Sequence, residues 1–206
     1  KIYNAGQKSF FANYIYQSIF GNNPGQMYSA GISFTYDKYD EDFRDQLVVA
    51  DGLEGVDATF KREERVPGAF FQYTGEFLDE RFVVMAGLRY DYHNIFGSIW
   101  TPRAHIMYKP DEFTNIKATF GRGLRTANIL AENSYLLASA ANFYVEGKLL
   151  AKNPHLLDEL KMEDSWNFGA NVNRKFTLFG RTLNVNLDYY HTKFNDQVVV
   201  DNETTF

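Results

Sequence analysis

Ala30, Ile32, Phe34 and Tyr36 fall on one side of an extended chain, and Gly31, Ser33, Thr35 and Asp37 fall on the other. A period of two is that of a β-strand with one apolar and one polar face. The alternation recurs in residues 84–93. There Val84, Ala86, Leu88, Tyr90 and Tyr92 oppose Met85, Gly87, Arg89, Asp91 and His93. It predicts strands over residues 9–20, 26–39, 66–77, 81–93, 100–108 and 114–121. Two more begin near residues 165 and 183, and a further strand is expected over 197–205. In the first strand the tyrosine-rich side (Phe10, Tyr14, Tyr16) is the apolar candidate.

Tight turns punctuate this rhythm. They are Gly21-Asn22-Asn23-Pro24-Gly25, Leu78-Asp79-Glu80, residues 109–113 and Phe179-Gly180-Arg181. Such residues supply turn geometry or break a ladder. Periodicity lapses over 40–64 and 122–163, which read as long loops, and 94–98 is a short link. Residues 128–141 have the spacing of a short helix, with Leu130, Leu136 and Leu137 as its apolar positions. In an antiparallel meander every tight turn then falls at one end and every long connection at the other. A membrane barrel has that asymmetry, with short periplasmic turns and longer outer loops. The expectation is an all-β antiparallel meander of about eight or nine strands, part of a transmembrane outer-membrane β-barrel. A complete small barrel and a soluble β-sandwich are the alternatives.

Composition narrows the function. The 206 residues carry 26 acidic and 21 basic groups, a net charge of -5, and the basic pair Lys61-Arg62 runs straight into Glu63-Glu64. No basic stripe marks the chain for nucleic acid. There is no cysteine, hence no disulfide framework and no thiolate metal site. No apolar run reaches the length of a membrane helix, but a barrel strand needs only about 9–11 residues. The opening residues read as the middle of a longer chain.

Three segments carry a family resemblance. Phe120-Gly121-Arg122-Gly123-Leu124-Arg125-Thr126-Ala127-Asn128, running on to Glu132 and preceded by Pro102-Arg103-Ala104, resembles a strand-end motif of TonB-dependent outer-membrane receptors. Leu124 and Ala127 stand where those receptors usually have an aromatic residue and a proline. Leu160-Lys161-Met162-Glu163-Asp164-Ser165 is similar to a second motif, with Met162 in place of a proline. Residues 65–73 look like a barrel strand of Bacteroidetes members. The resemblance implies a piece of a 22-stranded barrel, since neither plug nor TonB box is recognisable. It further implies uptake of a scarce ligand such as an iron chelate, cobalamin or a glycan. The implied partners are that ligand, outer-membrane lipid, and TonB through an N-terminal region outside this sequence.

Candidate sites are few. His93, His105, His155 and His191 have no metal-motif spacing. No nucleophile elbow or phosphate loop occurs, so neither an enzyme nor a cofactor is expected. Arg89, Asp91, Arg103 and Lys117 fall on the polar face, where mutual pairing accounts for them. Arg122 and Arg125 open the longest loop and are the candidate ligand contacts, because a guanidinium can hold an anion through two parallel bonds. Pairing with Glu132 or Glu146 is the structural alternative. The acidic residues of 40–45 read as a solvated loop.

Overall fold

The computed structural model describes residues 2–45, 56–135, 144–145, 148–149 and 160–200. One antiparallel sheet dominates. Its strands are β1 (Ile2–Phe20), β2 (Asn23–Asp45), β3 (Val56–Phe77), β4 (Phe82–His93), β5 (Gly97–Asp111) and β6 (Thr114–Arg125). A one-turn helix α1 (Ile129–Glu132) and a two-residue hairpin, β7 (Tyr144–Val145) with β8 (Lys148–Leu149), follow. Strands β9 (Glu163–Leu178) and β10 (Arg181–Asp196) complete the sheet. The order is β1-β2-β3-β4-β5-β6-β9-β10, a meander open at β1 and β10 among the described residues. The turns expected at 21–25, 78–80, 109–113 and 179–181 form at 21–22, 78–81, 112–113 and 179–180, with β2 starting already at Asn23 and β5 running to Asp111, and they share one end, here the tight end. The strand ends Asp45 and Val56, His93 and Gly97, and Arg125 and Glu163 share the other, the long-connection end.

Register sorts the side chains. On the first face, Tyr16, Ala30, Phe71, Leu88 and Pro102 lie in one row across β1 to β5, and Tyr14, Ile32, Ala69, Tyr90 and Trp100 in the next. The face continues through Ile106, Ala118, Ala170 and Tyr189. It is apolar yet uncovered: Ile32 is 63% exposed and Leu187 69%. An apolar face spanning eight strands fits lipid far better than water.

Aromatic residues bound this face. Tyr28 and Tyr36, Phe82 and Tyr90, and Tyr108 and Trp100 are each eight positions apart on β2, β4 and β5. Eight residues span ~27 Å of strand, or ~21 Å of height at a tilt near 40°, close to the ~25 Å apolar band of a barrel. At the tight end Tyr28 packs 6.1 Å from Phe20, and Phe82 packs 6.3 Å from Phe77. At the other end Tyr90 and Trp100 are 4.6 Å apart.

The second face is polar. Arg89 donates to both oxygens of Asp91 (2.7 and 2.6 Å) and to Ser33 Oγ (2.6 Å), tying β4 to β2 across β3. Gly68 on β3 leaves room for this pair, since a Cβ there would overlap the Asp91 carboxylate and come within 2.8 Å of Arg89 Nη2.

Several boundaries correct the sequence expectation. Residues 40–45 and 56–64 are not loop: β2 and β3 stay paired from Gln26–Gly75 out to Asp45–Val56. Residues 122–125 continue β6 and pair with β9. The helix expected over 128–141 is α1 alone among the described residues, and 136–141 lie outside them. The strand expected over 197–205 is absent from 197–200, where the Val198 N–H bonds Glu163 Oε1 instead of a ladder. Residues 201–205 lie outside the described residues.

Candidate functional site

Strands β1 to β3 run well past the aromatic border at the long-connection end, and β4 ends at His93, just past Tyr90. There the second face carries a chain of buried polar groups. Tyr3 Oη donates to Glu41 Oε1 (2.6 Å). The Arg62 guanidinium lies 4.7 Å over the Tyr39 ring, and its Nε is 2.7 Å from Glu64 Oε1. Glu64 Oε2 is 3.5 Å from His93 Nε2. The Ile95 N–H donates to His93 Nδ1 (3.2 Å), which places the neutral ring's proton on Nε2, facing Glu64. Glu64 and His93 are only 8% and 3% exposed. Burial and the bond to Glu41 push the Tyr3 hydroxyl well above its ordinary range. Tyr39 is raised by burial first, then by Asp37 and Glu64, with Arg62 opposing. Both phenols therefore stay neutral at ordinary pH, Tyr3 donating to Glu41 and Tyr39 accepting from Gln7 Nε2 (3.2 Å).

The connection after β6 folds in over this chain. Arg62 Nη1 donates to the Ala127 carbonyl (3.4 Å), so the segment leaving β6 reaches β3. Leu130 of α1 is buried, as are Phe43, Phe60 and Ile99 on the second face. The Glu132 carboxylate accepts the Asn128 N–H (3.2 Å), which closes the turn. A cavity of about 200 Å3 remains beside the crossing, lined by Lys61, Arg62, Phe96, Thr126, Leu160 and Lys161 among others.

Arg122 and Arg125 stand at the base of this connection, on opposite faces. Arg122 lies on the apolar face, opposite Trp166 in register. It grips Asp164 with two bonds (2.8 and 3.0 Å), donates to the Trp100 carbonyl (3.1 Å) and sits 5.8 Å from the Trp166 ring. The pair with Arg122 holds the Asp164 carboxyl below its ordinary range, and the Asn195 amide adds to this from 3.0 Å. Arg125 lies on the polar face and is 57% exposed. It joins Glu163 (2.6 Å) to Glu132 (3.1 Å), clasping both ends of the connection. Of the two expected carboxylate partners, Glu132 is thus engaged, and Glu146 lies outside the described residues.

His93 and His105 share the polar face, but His105 pairs with Met85 and His93 with Gly97, eight positions along β4. They stand ~27 Å apart. No cluster of three metal-binding side chains occurs among the described residues. Sequence reasoning missed Arg62 and Glu64, because 40–64 shows no apolar period, and Tyr39, because its partners lie in that segment. It missed Asp164 as a partner because the ion pair closes over 42 residues.

Three comparisons bear on this arrangement. Residues 2–206 match the family described as TonB dependent receptor-like, beta-barrel. Among curated proteins, the probable TonB-dependent siderophore receptor PirA of Acinetobacter baumannii is 24% identical over 143 residues. That match covers 68% of this chain and 18% of that protein, so the chain spans less than a fifth of its relative. Among solved structures, the siderophore receptor PirA of Pseudomonas aeruginosa superposes with a TM-score of 0.68 at 14% identity, covering 97% of this chain and 34% of that one. A mutant of the ferric enterobactin receptor PfeA from the same species gives 0.64 at 19% identity, covering 94% and 27%. At these identities the structural likeness establishes the fold.

Proposed function

Because this chain belongs to the TonB-dependent receptor-like β-barrel family and lies in the bacterial outer membrane, we propose that it is one section of the barrel wall of a ferric-chelate importer. Its parent protein takes up the chelate with energy delivered by TonB. The observation that carries the reading is the polar mouth at the long-connection end. The start of the connection that leaves β6, residues 126–135, folds inward there, over buried charge, above a wall whose other face is apolar. The relatives whose names refer to siderophores or ferric enterobactin support a ferric chelate over cobalamin or a glycan.

Arg122 and Arg125 take different parts in this proposal. Arg125, exposed on the mouth side, meets an anionic chelate by exchanging Glu132 for it, while Glu163 keeps the guanidinium in place. Arg122 acts from the outer face by fixing Trp166 and the start of β9. The test is ferric-chelate binding to whole cells carrying the full-length parent. Arg125→Ala should weaken binding, and removal of residues 126–162 should abolish it. Undiminished binding after the deletion would overturn the assignment.

A further inference from the structure

Among the described residues His93 is the buried histidine, whereas His105 and His191 are exposed. Its two ring nitrogens play opposite parts. Nδ1 accepts the Ile95 N–H, and Nε2 points at Glu64 Oε2 from 3.5 Å, too far for a good hydrogen bond. His93 Nε2, Glu64 Oε1 and Arg62 Nε are all buried without a well-directed hydrogen bond. Polar atoms left so cost stability. The link from β4 to β5 runs past this ring between two fixed points. Asn94 is pinned to β3: its N–H donates to the Arg65 carbonyl (3.2 Å), its side-chain amide donates to the Glu63 carbonyl (2.9 Å), and its side-chain oxygen accepts the Arg65 N–H (2.7 Å). Gly97 opens β5 in the left-handed region (φ 78°). Between them Ile95 is exposed, and Phe96 packs 4.8 Å from the imidazole. Ile95 and Phe96 also wall the cavity that Thr126 and Ala127 line from the connection.

We infer that His93 is a proton-operated latch, whose protonation frees Ile95 and Phe96 and loosens the start of the connection that crosses β3. An imidazolium donates from both nitrogens, so Nδ1 can no longer accept the Ile95 N–H. Two donors then face each other, and the exposed Ile95 peptide turns away while Asn94 holds. At Nε2 the new positive charge draws in the Glu64 carboxylate and closes the gap. Glu64 is then shared with Arg62, whose Nη1 holds the Ala127 carbonyl. Both effects reach the same segment, one through the cavity wall and one through Arg62. The other ionisable groups around the ring are Tyr39 from β2, stacked on Arg62, and Asp91 on β4, held by Arg89. Strand β5 places Gly97 opposite His93 and Ile99 opposite Asp91, neither of them charged. Residues 126–131 carry no ionisable side chain, and Lys61, Glu63 and Lys161 line the cavity. The latch belongs to this wall and does not depend on which ligand is imported.

The test uses the full-length parent in lipid vesicles, with spin labels on cysteines introduced by Lys8→Cys on β1 and Ala131→Cys in α1, both exposed positions. The distance between the labels is measured by pulsed electron resonance from about pH 8 to about pH 5, the range in which an imidazole changes charge. A single distance should hold at the upper end, and a second, longer one should take most of the population at the lower end. His93→Gln keeps one acceptor and one donor but cannot take up the proton, so it should show the single distance throughout. Glu64→Gln removes the counter-charge, so the longer distance should appear only at lower pH. A single distance at every pH in the protein with native His93 and Glu64 would overturn the inference. So would an equal acid response in His93→Gln or an unshifted one in Glu64→Gln, and the second of these keeps the test open if His93→Gln fails to fold.

Discussion

Arginine placed at successive depths of the apolar face should report where the membrane lies. On β4 the aromatic border residues are Phe82 and Tyr90, so Ala86 marks the midpoint and Leu88 lies halfway back to Tyr90. Two residues cover ~7 Å of strand, or ~5 Å of depth at a tilt near 40°. An arginine costs ~2–4 kcal/mol at the midplane of a barrel and ~0–1 kcal/mol near the interface. Ala86→Arg should therefore cost ~2–4 kcal/mol, Leu88→Arg ~1–3 kcal/mol and Tyr90→Arg ~0–1 kcal/mol, by interpolation on the same scale. Met85 neighbours Ala86 but points to the polar face, opposite Thr74 and His105. Met85→Arg is the control and should cost little. The assay is chemical unfolding of the full-length parent in lipid vesicles, followed by tryptophan fluorescence. Equal costs for Ala86→Arg and Met85→Arg would refute the two-faced assignment. A cost that rises from Ala86 to Tyr90 would refute the placement of the midplane.

Three further outcomes follow from the side-chain contacts. Gly68→Ala should force the Arg89–Asp91 pair apart, because the new methyl occupies the carboxylate's place; the same unfolding assay should show a loss of ~1–3 kcal/mol, the usual cost of overpacking. Asp164 is held below its ordinary range by Arg122, so its contribution is full above the unfolded value near ~3.9 and fades as pH falls through the lower folded value. Stability of the parent should accordingly drop more steeply below about pH 4 than that of Asp164→Asn. Arg125→Gln should change global stability by only ~0–1 kcal/mol, since its ion pairs are exposed, but should speed proteolytic cleavage within residues 126–135; an unchanged cleavage rate would contradict its role as a clasp.

The strands were legible in the sequence where membrane meets wall. Ala30 to Tyr36 and Val84 to Tyr90 show a period of two because one neighbour is lipid and the other is polar. Beyond Tyr36 that contrast ends, as both faces are polar there. Lys38, Asp40 and Asp42 lie on one face and Tyr39 and Glu41 on the other, so the paired extension of β2 and β3 reads as loop. Arg122 and Arg125 lie at the same border, and their segment reads as loop for the same reason. Their opposite directions follow from strand parity, which is visible only once residues 122–125 are known to be strand. The partnership of Arg122 with Asp164 joins distant segments and leaves no local pattern.

The most direct test of the account is energised uptake. Cells lacking their own ferric-chelate importers are given the full-length parent and labelled ferric chelate, with and without a protonophore. The account predicts that the chelate binds in both conditions and accumulates only when the proton-motive force is intact. Accumulation that persists after the force is collapsed would contradict it.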